Sequence, residues 1–478
     1  MSLDYEDKVI VKTPKGVRAL KIGEFVDATL SSYGFKKLAN PEQTEVYGLP
    51  QDVKVLVPSL SQAERIVWKR ITAVSRHHAP NELLRITLAS GRKIVATPFH
   101  SFVLRHDNKI VPVAGSKLKE GDRIPVLKSL DVGEVRGSLA LEEFLPKEKY
   151  IYGSELKKAI SSNSRLHRVA TVPLGYEQIN NYANSSGQIL VQEQCVYPYQ
   201  NHSRAQIPEV MPLDSFFGWL VGAYLAEGVH VENSVGISNV SEPYLARAAE
   251  FAAKYKIGYN VKHETGEFGP SATLWLHSTV LADLLKLACG RKSLHKRVPQ
   301  FAFDANEEFI ANLLQAYFDG DGNVSVTRNV IRASSNSEEL IDGISLLLTR
   351  LGIFSVKKSD KKGQHWLSTS YRYSERFLGK IGSIIPAKRK ALAKLVESLK
   401  GAEKSGKSYD VIDMVPGYGD LFVNLGKKLG LPSRLVTKLT KKQKVGRNAL
   451  ARYAEKFGSI ASEKGVNIEE ELALMGRM

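Results

Sequence analysis

Two carboxylates in this 478-residue chain stand where their type and spacing allow chemistry. Glu227 and Asp321 each precede a glycine, Gly228 and Gly322, at the end of an apolar run with helical spacing. GWLVGAYLAEG (from Gly218) is answered by NLLQAYFDGDG (from Asn312), and the two acids lie 94 residues apart. A carboxylate at the negative end of a helix dipole is unfavourable, and a second one beside it makes matters worse. A divalent cation removes that penalty. Two acids with backbone carbonyls at helix ends form an oxygen-rich site suited to Mg²⁺, which takes few carboxylates and completes its shell with water and phosphate oxygens.

The elements that must position this pair are themselves repeated. Gly218, Gly222 and Ala226 fall at i, i+4 and i+8, one helical stripe of small side chains, and Asn312, Ala316 and Gly320 form the matching stripe. Such stripes let two helix backbones touch and bring their C-terminal ends together. Downstream landmarks keep nearly the same step: Val261-Lys262 recurs as Val356-Lys357, and Leu274-Trp275-Leu276 as His365-Trp366-Leu367. A period near 95 residues is too long for a solenoid and indicates a duplicated α+β domain with pseudo-twofold symmetry. A helix-packing duplication without chemistry is the alternative.

LVGAYLAEG and LQAYFDGDG resemble the two motif copies of single-chain LAGLIDADG homing endonucleases. The resemblance implies that the motif helices form the central interface, that Glu227 and Asp321 coordinate Mg²⁺, and that flanking sheets form a saddle over duplex DNA. It also implies hydrolysis of both strands, with Lys262 and Lys357 as basic residues near the scissile phosphate. The first acid is Glu where the family carries Asp, which keeps the charge and lengthens the reach.

A second resemblance lies in the first 130 residues, where short extended runs (KVIVKT, VKVLVP, LLRITLA, KIVATP, SFVLRH) alternate with turn residues. Thr97-Pro98-Phe99-His100 resembles the T-x-x-H block of the Hint (hedgehog/intein) splicing fold, AGSKLKEGDRIP resembles the segment that follows it, and KIGEFVD fits the N-terminal block. In that family Ser2 would be the nucleophile of an acyl shift, with Thr97 and His100 distorting and protonating the upstream peptide bond. The terminal strand pair and His-Asn pair of the family have no match before EEELALMGRM, so splicing in cis is not expected. His77-His78 lie in a turn without acidic or thiol partners, and no metal is expected there.

Composition agrees with a polyanion partner. There are 67 Lys+Arg against 50 Asp+Glu, a net charge of +17. Ten basic residues against one acid lie between Lys427 and Lys456, in a pattern of three short helices that resembles a helix-turn-helix in outline. Lys441, Lys442, Lys444 and Arg447 there are expected DNA contacts, as are Arg291, Lys292, Lys296 and Arg297 with the counterpart Lys388-Arg389-Lys390. Two cysteines exclude a disulfide framework, and no apolar run approaches the length of a spanning helix. A cytoplasmic, monomeric protein without membrane partners follows as an expectation.

The expected fold is therefore multidomain. An all-β, partial Hint-like domain covers 1–130 and an accessory or linking segment 131–210. The α+β pseudo-twofold LAGLIDADG domain covers 211–400, with repeats at about 211–305 and 306–400. A small, basic helical domain covers 401–478. The expected function is that of an archaeal-type intein-encoded endonuclease, Mg²⁺-dependent and cutting double-stranded DNA at a long asymmetric site. A splicing element whose nuclease only binds DNA, or an RNA maturase, are the alternatives, and the Hint-like start argues against the second.

Overall fold

The computed structural model describes residues 2–146, 149–154, 194–198, 205–266, 269–404, 413–440 and 444–478. Two compact units emerge, one made of Met1–Lys128 with Gly401–Met478, the other of Ser129–Lys400. Both mix helices with small antiparallel sheets. Among the described residues no helix is long and apolar enough to cross a membrane.

The second unit holds the repeat. Its first copy runs α1 (Ser215–Glu227), β1 (Gly228–Val231), β2 (Ser234–Asn239), α2 (Glu242–Lys254), β3 (Gly258–Gly266), β4 (Gly269–His277) and α3 (Thr279–Cys289). The second copy runs α4 (Glu307–Gly320), β5 (Gly322–Ser325), β6 (Val330–Ser335), α5 (Glu338–Arg350), β7 (Val356–Ser359), β8 (His365–Ser370), α6 (Ser374–Lys380) and α7 (Pro386–Lys404). Each sheet is antiparallel with one strand order, β1-β2-β4-β3 and β5-β6-β8-β7. Helix starts repeat too: Asp214 caps α1 by accepting from Phe217 N–H, and Asn306 caps α4 by accepting from Phe309 N–H.

Helix α1 is apolar all round, and every residue from Phe217 to Leu225 is buried, as a helix at the centre of a unit requires. It packs along α4. The small stripe makes this possible, because a Cβ on Gly218 would overlap the backbone of Phe309 and one on Gly222 the backbone of Leu313. Near the helix ends, Gly320 lies so close to Ala226 that an added Cβ would stand 2.6 Å from the Ala226 methyl. Asn312 instead donates its side-chain amide to Glu308 O of its own helix, so Phe309 and Leu313 are the α4 residues that meet the two glycines. Gly222→Val is expected to force the helices apart, costing about 3 kcal/mol by overpacking and lowering the melting temperature by roughly 6–12 °C. Gly401→Ala, where a Cβ meets nothing within 4 Å, should leave it unchanged or slightly raised. Differential scanning calorimetry reads both.

The segment expected as a linker over 131–210 is, where described, built into this unit. Ser138–Ala140 pairs with Val210–Pro212, and Tyr150–Tyr152 pairs with Cys195–Pro198. Tyr150 donates its hydroxyl to Asp283 of α3 at 2.7 Å. Tyr176, Tyr182 and Tyr199 lie outside the described residues.

In the first unit the strands Lys8–Thr13, Leu56–Leu60, Leu84–Thr87, Lys93–Ala96 and Ser101–His106 fall on the five extended runs read from sequence. One correction is needed to the all-β expectation. Ile22–Tyr33, which includes most of KIGEFVD, is a 12-residue helix, because Val26 and Leu30, one turn apart, bury against Leu49 and Val74. The basic C-terminal segment joins this unit rather than standing alone. Arg105 donates to Pro416 O and Gly417 O, each at 3.2 Å, while pairing with Glu64 at 3.0 Å. Gly417, at φ +59°, leaves no room for a Cβ against Arg105 O. The segment's helices, Leu421–Lys428, Ser433–Thr440, Arg447–Lys464 and Glu469–Arg477, share a core that includes Tyr418, Phe422, Leu425 and Phe457.

Candidate functional site at two helix ends

Glu227 is the last residue of α1, and Asp321 caps the C-terminal end of α4. The helices touch through Gly320 and Ala226, so both carboxylates stand at adjoining negative helix ends. Burial raises the Glu227 carboxyl, and Lys296 and Lys388 partly offset the rise. Asp321 keeps an open side towards solvent, yet surrounding protein atoms and then the charge of Glu227 push its carboxyl from 3.8 up to about 7. Lys296 and Lys388 oppose that shift too. Four groups, two acidic and two basic, therefore share one electrostatic neighbourhood.

The lysines are the part that sequence reading placed elsewhere. Lys296 and Lys388 were expected on the phosphate-gripping surface, but Lys296 is only 7% exposed. Its ammonium lies 3.4 Å from Ala226 O at the end of α1 and 5.4 Å from the Tyr224 ring centre. Lys388 donates to Phe318 O at 2.9 Å and Asp319 O at 2.6 Å, at the end of α4. Each ammonium thus brings a donor and a positive charge to carbonyls at the negative end of a helix. Burial lowers both pKa values, and the carboxylates hold them up.

Dedicated contacts hold each lysine in place. Lys296 follows α3 on a turn in which Arg297 N–H donates to Cys289 O at 2.8 Å, while Ser337 at the start of α5 donates its hydroxyl to Lys296 O at 2.6 Å. Tyr224 donates to Gly290 O at 2.8 Å and ties the same turn to α1. Lys388 sits in the first turn of α7, and Asp319 fixes the approach to that helix. Its carboxylate accepts from the Ser383 hydroxyl and, at 2.9 Å, from Ile384 N–H. Asp319 is 3% exposed and its carboxylate is taken up by this anchor, although it and Asp321 both belong to DGDG. The signal that would have found it is the absence of an acid at the matching position Leu225.

Lys262 and Lys357 are not brought together with the carboxylates in the same way. Lys262 pairs across the ladder with Thr273, on the sheet face opposite buried Leu274 and Leu276. Lys357 pairs with Leu367, on the helix-packed face, and makes a salt bridge to Asp342 of α5. Register explains the difference. Counted from Trp275 and Trp366, Asn260 is the counterpart of Lys358, because β7 has four residues where β3 has nine. An offset wrong by an odd number turns the side chain to the other face.

Of the expected DNA contacts, Arg291, Lys292, Arg389 and Lys390 are exposed, while Arg297 donates to Leu287 O at 2.7 Å. Lys444 is exposed in the first unit, where Arg447 is engaged by Asp413 at 3.0 Å and by Met478 O. Lys441 and Lys442 lie outside the described residues.

The first unit has a cluster of its own. Ser2 N–H donates to Thr97 Oγ1 at 3.1 Å, and Thr97 N–H donates back to Ser2 O at 3.0 Å. His100 stacks edge-on to Phe102 at 5.2 Å, with its Nδ1 buried and without a hydrogen-bond partner. The ring that meets the Ser2 hydroxyl is His77. The sequence had set His77 aside as a turn residue.

Residues 308–382 match the family described as LAGLIDADG-like domain. The DNA-directed RNA polymerase subunit Rpo1C of Methanocaldococcus jannaschii is 38% identical over 468 residues, 98% of this chain and 48% of the relative. A DNA polymerase of Thermococcus aggregans is 25% identical over 71% of this chain and 22% of its own length. Among solved structures, I-DmoI in complex with DNA and Mn is 13% identical over 36% of this chain and 97% of its own, at TM-score 0.29. A transcription factor IIB mini-intein is 24% identical over 26% of this chain and 68% of its own, at TM-score 0.23. The second copy of the repeat is thus a LAGLIDADG-like domain, and the chain is similar along nearly its whole length to the Rpo1C relative. It spans about half the length of the Rpo1C relative. The family match falls on the second copy of the LAGLIDADG unit, from α4 through α6, and so includes Asp321 but neither Glu227 nor the two lysines.

The donor set fits a small, hard cation. Among the described residues no group of three or more His, Cys, Asp or Glu gathers, so softer or all-protein sites are not offered. Two crowded carboxylates, one of them raised to about 7, gain most from a divalent charge completed by water and phosphate oxygens. Without metal the crowding is a cost to the fold. Asp321 is protonated in both folded and unfolded chains below pH about 4 and ionises more easily when unfolded, so its unfavourable contribution grows from there and levels off above about 7. Asp321→Asn is therefore expected to melt with the parent at acid pH and above it at neutral and alkaline pH, in thermal scans with chelator present.

Proposed function

We propose that the LAGLIDADG unit is a metal-dependent endonuclease that hydrolyses both strands of duplex DNA at a long, asymmetric site. The observation that carries this is the juxtaposition of Glu227 and Asp321 at two touching helix ends, flanked by the buried ammonium groups of Lys296 and Lys388. Glu227 and Asp321 would hold Mg²⁺, which supplies Lewis-acid stabilisation of charge on the phosphate. The chain's own groups do the rest. The two carboxylates would orient the attacking water and the phosphate around that charge. Lys296 and Lys388 present fixed positive charge to the pentacoordinate phosphate, and their lowered pKa values let either donate to a departing oxygen.

A monomer with internal pseudo-twofold symmetry fits an asymmetric target, because two copies of different sequence read two different half-sites. The sheet faces that carry Lys262, Trp275, Arg332, Trp366 and Lys358 provide the reading surface, with Arg291, Lys292, Arg389 and Lys390 gripping phosphates beside it. The 38% identity to an Rpo1C subunit suggests the target: an uninterrupted gene for such a subunit. Incubation of the full chain with that duplex and Mg²⁺ should give a discrete double-strand break. An intact duplex with folded protein sinks the proposal. Binding should weaken steeply from 50 to 200 mM salt, by about 10³-fold or more if six or more phosphates are neutralised, as read by fluorescence anisotropy.

A further inference from the structure

The cluster at Ser2 has no part in the nuclease reading, and its geometry is that of an activated nucleophile. Ser2 is pinned from both sides of its peptide by Thr97, through the bonds at 3.1 and 3.0 Å. The pairing continues with the Leu3–Ala96 bridge and with Asp4 N–H donating to Val95 O at 2.8 Å. Thr97 is 7% exposed, so this anchor is rigid. The Ser2 hydroxyl meets Nε2 of His77 in a hydrogen bond.

The other ring nitrogen settles which way that bond runs. His77 Nδ1 lies 2.7 Å from His78 O, and a carbonyl can only accept, so Nδ1 carries the proton. In the neutral ring Nε2 is then a bare acceptor, and the Ser2 O–H donates to it. His78 N–H in turn donates to Glu42 O at 3.1 Å, which fixes the turn that orients the ring. Nucleophile, base and orienting acceptor are thus all present, with a peptide carbonyl as the third member.

We propose that His77 is the proton acceptor for Ser2 in an acyl shift at the peptide bond between residue 1 and Ser2, a role for which the sequence offered no residue, Thr97 and His100 being expected to act on the peptide bond itself. Ser2 Oγ bonds to the carbonyl carbon of the preceding residue while its proton passes to His77 Nε2. The C–N bond then breaks, and His77 returns the proton to the freed Ser2 amine. The product is an ester with no net gain or loss of protons. This inference rests on the reading of the first unit as splicing-derived, and its test separates the two.

The full chain, extended by a short peptide ahead of Met1, is treated with hydroxylamine, and release of the upstream peptide is followed by mass spectrometry. Hydroxylamine attacks an ester and leaves an ordinary amide intact. The Ser2 chain should release the peptide and Ser2→Ala should not. His77→Ala and His77→Asn should each slow release by about 100-fold or more, the asparagine retaining a hydrogen bond but unable to take a proton. In the Ser2→Cys background, His77→Ala should cost less than about tenfold, because a thiol ionises without a base. Matched thermal melts confirm that each variant is folded. Equal release from parent and both His77 variants overturns the proposal, as does release from the Ser2→Cys chain alone. Release from neither the Ser2 nor the Ser2→Cys chain overturns the splicing-derived reading together with it.

Discussion

Asp321→Asn and Glu227→Gln should each abolish DNA cleavage, by about 10³-fold or more, while leaving target affinity equal or improved. The size follows from what is removed. A carboxylate that holds a divalent ion stabilises the phosphate charge by several kcal/mol, and each 1.36 kcal/mol is tenfold in rate. The direction of the binding change follows from electrostatics: on the proposed function both acids lie next to the polyanion's path, crowded enough that Asp321 sits at about 7 without metal. Neutralising either one relieves that repulsion. Cleavage is read by single-turnover assay and binding by anisotropy in Ca²⁺, which occupies oxygen sites. Loss of binding in the asparagine variant would mean that Asp321 shapes the DNA surface and does not hold the ion. The same substitution should raise metal-free stability at neutral pH, so a fall in stability would also count against the arrangement.

The helix pair was legible from the sequence because small residues at i and i+4 have one strong use, close backbone approach, and Gly218 and Gly222 are used so. One acid before a helix-terminating glycine is common, and it was the repeat of that ending at a domain-sized offset that singled out Glu227 and Asp321 as a pair. What spacing does not encode is the direction of a side chain on an irregular segment. Lys296 follows a turn with Lys292 at φ +63° and projects inward, while Arg291 and Lys292 beside it project outward. A run of basic residues reads as one surface until the backbone separates its members. The Lys357 assignment failed to match Lys262 for a related reason, since hairpin length shifts register without a trace in composition. His77 was illegible because its partner Ser2 is 75 residues away and neither sits on an element with a telling period.

Lys388→Met should lower cleavage by about 10²- to 10³-fold, the usual loss when one preorganised donor to a developing oxyanion is removed, and change affinity less than about threefold. The alternative, a surface phosphate contact, makes the opposite forecast. Losing a phosphate contact weakens binding across all sequences and reduces the salt slope by about one. The structure favours the first outcome because the ammonium donates to Phe318 O and Asp319 O at the end of α4 and lies in the field of Glu227 and Asp321. Lys388→Arg should not restore activity. A planar guanidinium cannot place its fork in a niche shaped for a compact ammonium bonded to two successive carbonyls. Lys296 belongs to the other copy and serves the end of α1, so Lys296→Met should slow one strand and Lys388→Met the other. Nicked circles would accumulate with either variant, and the nick should fall on opposite strands. Equal slowing of both strands by both substitutions would show a single shared centre. Asp319→Asn supplies the last discrimination, because it leaves the Lys388 ammonium in the chain while removing the carboxylate charge that most supports it and loosening the Ser383–Ile384 anchor that aims it. It should reduce cleavage less than Lys388→Met does, and the double variant should be no worse than Lys388→Met alone.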